Sequence, residues 1–231
     1  MEDYNARATP WMIDEADFAS SHTLKDKARF LLSYAVLAPS GHNIQPWQFE
    51  LTEDGILVYA DYSRRLPVAN PDDRELVMSV ATTITNLRIA AAHFGLACDV
   101  RYLPEPDSKD LLASVTLSEG QVDHGMADLF PAILTRWTNR FEYDDKKMSQ
   151  KDLEALGPFT TLGGASMKII TDGAAIGKLA DIAAQGDLRR MADKAFTREL
   201  SDWIRPLLVL QPAGRARRPQ GEDQVTRRDR R

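Results

Sequence analysis

Apolar residues recur at helical spacing in several stretches of the chain, and short runs of aromatic and β-branched residues lie between them. The spacing predicts a helix over Leu24–Ala38, which Pro39 ends. Two apolar runs, WQFEL and ILVYA, follow a polar loop, and the glycine turn between them predicts a β-hairpin. The longest apolar stripe predicts a helix over residues 72–94, which Gly95 is placed to end.

The rest of the chain continues with shorter elements. CDVRYL and ASVTL predict two further strands, which a turn with two prolines separates, and SMKII predicts another strand. Helical spacing predicts helices over residues 123–134, after Ser149 as N-cap, over 172–184 and over 189–204. Because hairpins and helices are mixed without regular strand–helix–strand alternation, the pattern favours a layered α+β fold over a doubly wound one.

Composition narrows the class of protein. The 231 residues are 43% hydrophobic and 27% charged, which supplies a core and argues against wholesale disorder. A single cysteine excludes a disulfide framework, and no group of ligand residues has the spacing of a zinc or calcium site. The acidic amino-terminal segment has no apolar signal region, and no stretch reaches the roughly 18 apolar residues of a membrane span. We therefore expect a cytoplasmic globular protein without a metal ion.

The net charge of −5 is unevenly distributed. Residues 205–231 contain eight arginines and three acidic residues, a net charge of +5, so the rest of the chain carries −10. Such a tail is compatible with nucleic-acid binding, with a disordered terminus or with a segment foreign to the fold before it. Its lack of amphipathic periodicity favours the last two interpretations over nucleic-acid binding.

The segment APSGHNIQPW, residues 38–47, carries the strongest local signal for a binding site. Pro39 and Pro46 bracket it, fix two backbone φ angles and remove two donors, so the loop is expected to be stiff. The serine, histidine, asparagine and glutamine between them offer many donors and acceptors. A stiff polar wall suits a planar ligand with a polar edge, because little entropy is lost on binding. The alternative is an ordinary helix-to-strand connection.

APSGHNIQPW resembles the flavin-side loop of the nitroreductase family, and especially that of its Acg-like subgroup. The stretch RRLPVANPDDRELVMSVATTITNLRIAAAHFGL resembles the segment that follows the hairpin in this subgroup. The stretch RWTNRFEYDDKKMSQKDLEAL resembles the arginine-rich segment that opens a domain in family members. The resemblance covers roughly residues 25–204 and is most specific at the first loop.

The resemblance implies a three-layer α-β-α fold in which a mixed sheet is flanked by helices, with a second homologous half that is incomplete. It also implies that FMN is bound at the interface of two protomers or of two homologous halves. The cofactor-binding residues that the resemblance implies in this loop are Pro39, Ser40, His42, Asn43 and Gln45. Of these, Ser40, Asn43 and Gln45 would lie near the flavin ring, Pro39 would shape the wall of the site, and His42 could touch the ligand. Flavin chemistry requires no histidine base, because the cofactor itself carries the reaction.

Two arginines complete the implied cofactor site. Arg136 and Arg140 lie in the segment that usually holds the FMN phosphate and ribityl chain, a role that suits guanidinium forks. The alternative is a solvated loop in which these arginines form local ion pairs with Glu142, Asp144 or Asp145.

The order of the motifs implies a tandem chain. The arginine-rich segment precedes the APS loop in ordinary family members, whereas here it follows that loop. We therefore expect a first nitroreductase-like half over residues 1–134 and part of a second half over 135–204. Residues 205–231 are then an arginine-rich tail that is disordered or foreign to the family.

The implied function is that of an FMN-dependent oxidoreductase with a ping-pong mechanism. It would take electrons from NAD(P)H and pass them to a nitroaromatic or quinone-like acceptor, and no side chain would act as catalytic acid or base. Two alternatives stay open: a flavin-binding or sequestering protein without turnover, and an inactive truncated fragment of the family. Self-association into a homodimer is compatible with a site built between two halves, and no membrane partner is expected.

Overall fold

The structure, a computed structural model of the chain, describes residues 13–144, 146–157, 161–162 and 165–204. The chain divides into two compact units. The first runs to Trp137 and resumes at Arg198, and the second comprises Thr138–Thr197. Residues 205–231, on which the prediction of an arginine-rich tail falls, lie outside the described residues.

A four-stranded antiparallel sheet forms the centre of the first unit. Its strands are β1 (Trp47–Leu51), β2 (Gly55–Ala60), β3 (Ala97–Tyr102) and β4 (Leu111–Ser118), in the spatial order β1-β2-β4-β3. β1 and β2 form the predicted hairpin, and the predicted strands CDVRYL and ASVTL correspond to β3 and β4. Only glycine fits at position 55, because a Cβ there would overlap the carbonyl oxygen of Val115.

Two long helices pack on one face of this sheet. They are α2 (Leu24–Ala35), which begins after Thr23 as N-cap, and α3 (Arg74–His93), close to the predicted bounds. Every second residue of β4 is buried, as the period of a half-buried strand requires. The core is the largest stabilising feature, since it removes apolar area from water. Its members include Leu31, Tyr34, Ile56, Val58, Val80, Leu87, Ala113, Val115 and Leu117.

Buried polar groups fix the start of α3 and a nearby loop. Asp73 at the N-cap of α3 has φ 55° and makes no side-chain cap. The buried Asn70 takes over this role, because its Oδ1 accepts the N–H groups of Glu75 at 2.8 Å and Leu76 at 3.3 Å. The carboxylate of Glu199 accepts the backbone N–H groups of Val68 at 2.9 Å and Ala69 at 2.8 Å, which ties the returning chain to this loop.

An aromatic cluster closes one end of the core. Phe18 of α1 (Ala16–Ala19) contacts Phe30 and Phe94, and Tyr34 contacts Phe130 with ring centroids 5.0 Å apart. The His93 ring lies parallel to the Phe130 ring, with centroids 3.6 Å apart. Tilted and edge-to-face pairs of this kind add to the free energy gained from burial alone.

The prediction of a single helix over residues 123–134 is wrong. The structure has two short helices there, α4 (His124–Ala127) and α5 (Phe130–Thr135). Pro131 occupies the first turn of α5, where its missing N–H costs nothing, whereas the interior of a longer helix would lose a hydrogen bond. Proline therefore begins a helix at this point.

The second unit contains a short hairpin and helices. Its elements are α6 (Gln150–Ala155), β5 (Thr161–Leu162), β6 (Ala165–Ser166), α7 (Gly173–Ala192) and the first residues of α8 (Lys194–Trp203). Ser149 caps α6 as predicted, with its side chain accepting the Asp152 N–H. α7 leaves large apolar side chains in solvent, such as Ile182 at 66% and Leu188 at 72% exposure.

Two expectations for this part of the chain are corrected. The predicted strand SMKII is limited to its first residue, because β6 ends at Ser166 opposite a partner strand of two residues. The helices predicted over 172–184 and 189–204 instead meet at Asp193. Asp193 ends α7, and its side chain accepts the N–H of Ala195 at 2.8 Å at the start of α8.

The prediction of an α+β fold is confirmed, and the arrangement is consistent with the nitroreductase-like fold that the resemblance implies. All strand pairings among the described residues are antiparallel, so this part of the chain does not form the mixed sheet. The division into two homologous halves stays a prediction. Within the described ranges, no helix is both long enough and apolar enough to cross a membrane.

The aromatic cluster makes a testable contribution to stability. Phe130 is 4% exposed, and the neighbouring Leu129 is 38% exposed. We expect Phe130→Ala to lower the free energy of unfolding by about 3–5 kcal/mol, because it leaves a cavity among packed rings. Urea denaturation measures this change. The control Leu129→Ala is expected to cost less than about 1 kcal/mol, and equal losses in the two variants would contradict the packing described.

Candidate functional site

The loop between α2 and β1 has an unusual backbone. Ser40 is extended, and residues 41–43 form a single 3₁₀ turn. Three non-glycine residues of the loop have left-handed φ angles: His42 at 46°, Asn43 at 58° and Gln45 at 50°. Asparagine tolerates this region better than most residues, whereas a left-handed glutamine directly before proline is uncommon. Such a conformation persists only where surrounding contacts enforce it.

Hydrogen bonds within the loop supply part of that enforcement. The Ser40 hydroxyl oxygen accepts the N–H of Gln45 at 2.9 Å, which closes the loop across five residues. The N–H of Asn43 donates to the Ser40 carbonyl, and the N–H of Ile44 donates to the Gly41 carbonyl, both at 3.0 Å. The side-chain amides of Gln45 and Asn43 lie 3.5 Å apart. The loop is therefore stiff, as the two prolines predict, and Ser40 is its internal brace.

Three residues outside the loop anchor it to the body of the first unit. The Arg64 guanidinium donates to the Ile44 carbonyl at 2.7 Å. Ser79 of α3 accepts the Gly41 N–H at 3.4 Å, and the Thr82 hydroxyl lies 3.2 Å from the carbonyl oxygen of Pro39. Sequence reasoning missed these roles. For Ser79 and Thr82, the available signal was that polar residues interrupt the face of α3 that packs against the protein body.

Arg64 is itself held in place by the loop after β2. The Asp61 carboxylate accepts a hydrogen bond from the Ser63 hydroxyl and lies 3.5 Å from the Arg64 Nε. The pKa of Asp61 is lowered, first by the Ser63 hydroxyl and also by the nearby Arg64 charge. Arg64 therefore connects an ionised carboxylate with the carbonyl of Ile44, whose side chain is buried.

The exposed side of the loop presents polar groups. Asn43 and Gln45 are exposed, and Ser40 and His42 are half-buried, whereas Ile44 is buried in the protein body. Amide side chains carry both donors and acceptors. The loop therefore offers a rigid edge that can form hydrogen bonds with both the donors and the acceptors of a planar ligand.

The structure brings one of the two predicted arginines next to this loop. Arg136, which ends α5, donates from Nη2 to the carbonyl of Leu37 at 2.7 Å, three residues before Ser40. Partial burial lowers the pKa of its guanidinium, which stays charged at any physiological pH. Arg140 lies in the second unit and is exposed.

Other reactive groups in the described part of the chain offer no competing site. Burial raises the pKa of the Cys98 thiol to about 11, so it is protonated at neutral pH and is not an activated nucleophile. The described residues contain no cluster of three or more histidine, cysteine or acidic side chains that could hold a metal ion.

Comparison with known proteins gives relatives at low identity. No protein-family model matches the chain. "Putative NAD(P)H nitroreductase Rv3131" of Mycobacterium tuberculosis (strain ATCC 25618 / H37Rv) is 27% identical over 178 residues, which are 77% of this chain and 51% of that protein. "Uncharacterized protein Rv3127" of the same strain is 28% identical over 193 residues, covering 78% and 54%. "Putative NAD(P)H nitroreductase acg" is 29% identical over 119 residues, covering 51% and 36%.

The chain spans about half the length of the first two of these relatives. Similarity to proteins with these names supports the resemblance of this chain to the nitroreductase family, including its Acg-like group.

Proposed function

We propose that the chain is an FMN-dependent, nitroreductase-like oxidoreductase that transfers electrons from NAD(P)H to a nitroaromatic or quinone-like acceptor. The observation that carries this proposal is the Ser40–Gln45 loop, whose strained backbone is held by anchors outside it. Non-glycine residues with a left-handed backbone raise the free energy of the folded state, and such residues are found most often at functional sites. The names of the relatives favour a nitroreductase-like activity for that site.

The donor set of this loop fits a flavin. A flavin ring has an apolar face and an edge of alternating carbonyl and ring nitrogen atoms. The exposed Asn43 and Gln45 amides can pair with both kinds of atom, and Pro39 presents an exposed apolar surface beside them. The pre-formed loop conformation would reduce the entropy that binding costs.

Arg136 fits the phosphate of FMN on chemical grounds. A guanidinium carries five N–H donors in a planar fork, and one of them donates to the Leu37 carbonyl. That bond fixes the side chain and directs its charge toward the base of the loop. We propose that Arg136 holds the phosphate, and the same role for Arg140 stays a prediction from the sequence.

When bound, FMN would supply the redox chemistry by accepting a hydride and passing the electrons on. The residues of the chain would hold, orient and shield the ring. Ser40 and Arg64 would keep the loop in its bound shape, and Asn43 and Gln45 would fix the polar edge. No side chain near the loop is required as acid or base.

A second candidate is flavin binding without turnover. The observation that favours it is the exposure of the loop itself, in which Asn43 and Gln45 are exposed and Ser40 and His42 are half-buried. A binding edge of this kind would leave part of a bound ring open to water. Excluding water from an active site prevents side reactions, so that the electrons pass to the chosen acceptor.

The partners follow from the same proposal. NAD(P)H and the electron acceptor would be the small-molecule partners, and a homodimer is compatible with this function. A cytoplasmic location would suit a protein that uses NAD(P)H.

The spectrum of the purified full chain tests the function. We expect the protein, incubated with FMN and dialysed, to keep the absorbance of oxidised flavin at about 450 nm. Addition of NADPH or NADH without oxygen should bleach this band, and a quinone should restore it. A band that persists after both nucleotides would support sequestration instead. Colourless protein with a native far-UV spectrum would contradict both candidates.

The anchor of the loop gives a second test. We expect Arg64→Ala to raise the Kd for FMN about tenfold or more, because the lost charge-assisted hydrogen bond frees Ile44 and relaxes the left-handed residues. Flavin fluorescence titration measures this Kd. Arg65→Ala is the matched control, since Arg65 pairs with the half-buried Asp73 at 2.9 Å and has no bond to the loop. Similar Kd values for the two variants would refute the anchoring role.

A further inference from the structure

β3 forms an edge of the sheet, and its outward backbone groups can be identified. Its neighbour on one side is β4, and among the described residues no other strand adjoins it in the order β1-β2-β4-β3. The N–H of Leu103 donates to the carbonyl of the opposing Leu112, so Ala97, Asp99 and Arg101 share its direction toward β4. The N–H and C=O groups of the intervening residues point away from the sheet. In the part of the chain that the structure describes, those outward groups make no backbone hydrogen bond.

The sequence of this edge is self-complementary about Val100. In an antiparallel pair centred there, Val100 faces Val100 of the other strand and Asp99 faces Arg101. Cys98 then faces Tyr102. Charged residues meet opposite charges and apolar residues meet apolar residues, on the two alternate faces of the strand.

We propose that β3 is a self-association surface, on which a second copy of this chain adds its own β3 in antiparallel register about Val100. The two four-stranded sheets would then form one continuous sheet of eight strands. The hydrogen-bonding positions of the two copies match in this register. The backbone groups of Cys98, Val100 and Tyr102 point outward, and each of these residues faces one of the same three residues in the second copy. A register shifted by one residue would lose both this match and the charge pairs.

The polar face of the edge provides charge complementarity. Asp99 and Arg101 are both exposed, and in the described parts of the chain neither forms an ion pair with its own copy. In the proposed register they occupy non-hydrogen-bonded pairs, in which Cα atoms approach to about 4.5 Å and side chains are closest. Each dimer would contain two such Asp99–Arg101 pairs, related by its twofold axis.

The apolar face offers surface for a partner to cover. Tyr102, which is 58% exposed, lines a shallow recess together with Leu103 at 65% and Val77 of α3 at 40% exposure. Large exposed apolar side chains that lie next to one another are typical of an interaction site. At the other end of β3 a recess lined by Arg88, Ala92, Cys98 and Met126 lies where the register brings Tyr102 of the second copy. The exposed ring and the recess therefore stand at mirrored positions about Val100.

This surface is separate from the candidate flavin site. The Ser40–Gln45 loop leads into β1, and β1 is the opposite edge of the sheet from β3. Association through β3 therefore does not depend on flavin binding, and failure of one proposal leaves the other standing. An edge strand whose charges served only to prevent association would leave the wild-type chain monomeric.

Charge exchange tests the register. Sedimentation analysis of the full chain should show a monomer–dimer equilibrium. Asp99→Arg alone and Arg101→Asp alone each place two like-charge pairs in the dimer, so each should raise the dimer Kd about tenfold or more. An equimolar mixture of the two single variants should recover a dimer, since every charge then meets its opposite. The double variant D99R/R101D should likewise regain dimer formation near the wild-type Kd.

Glu50→Arg is the matched control, because it makes the same charge change on an exposed face of β1 at the other edge. It should leave the dimer Kd within about twofold. The recovery in the mixture and in the double variant separates lost complementarity from misfolding, which far-UV circular dichroism checks independently. A wild-type chain that stays monomeric at its solubility limit overturns the proposal. A dimer that is unaffected by the single variants, or not recovered in the mixture, also overturns it.

Discussion

The Ser40–Gln45 loop holds three non-glycine residues at left-handed φ angles, and the contacts that enforce this conformation determine what the site can do. Each such residue costs on the order of 1 kcal/mol. The Arg64 guanidinium on the Ile44 carbonyl and the Ser40 hydroxyl on the Gln45 N–H offset that cost. Because contacts within the protein meet this strain, the polar edge of Asn43 and Gln45 would need little rearrangement to bind a planar molecule.

The sheet gives this loop a firm base and leaves two different edges. On one side the loop connects α2 to β1, and Arg136 at the end of α5 donates to the carbonyl of Leu37, just before the loop. On the other side β3 leaves a row of backbone donors and acceptors next to exposed apolar groups. A single α+β core therefore supports a candidate cofactor wall at one edge and a candidate pairing surface at the other.

Much of the fold could be predicted from the sequence because its signals are local. The hairpin of β1 and β2 and the helix α3 follow from periodicity over adjacent residues. The anchors of the loop could not be predicted, because Arg64, Ser79 and Thr82 are 20, 38 and 43 positions from their partners. Helix breaks were also missed, since Pro131 and Asp193 can each either end one helix or begin the next.

The proposed function depends on flavin binding against the pre-formed Ser40–Gln45 loop. Backbone amide NMR spectra of the full chain, recorded during FMN titration, show whether this contact forms. We expect the signals of Gly41, Asn43 and Gln45 to shift with one saturable Kd, while the signal of the Val100 amide in β3 stays unchanged at constant protein concentration. Saturable binding that shifts signals elsewhere and leaves the loop unchanged would contradict it, as would a folded chain whose spectrum FMN does not alter.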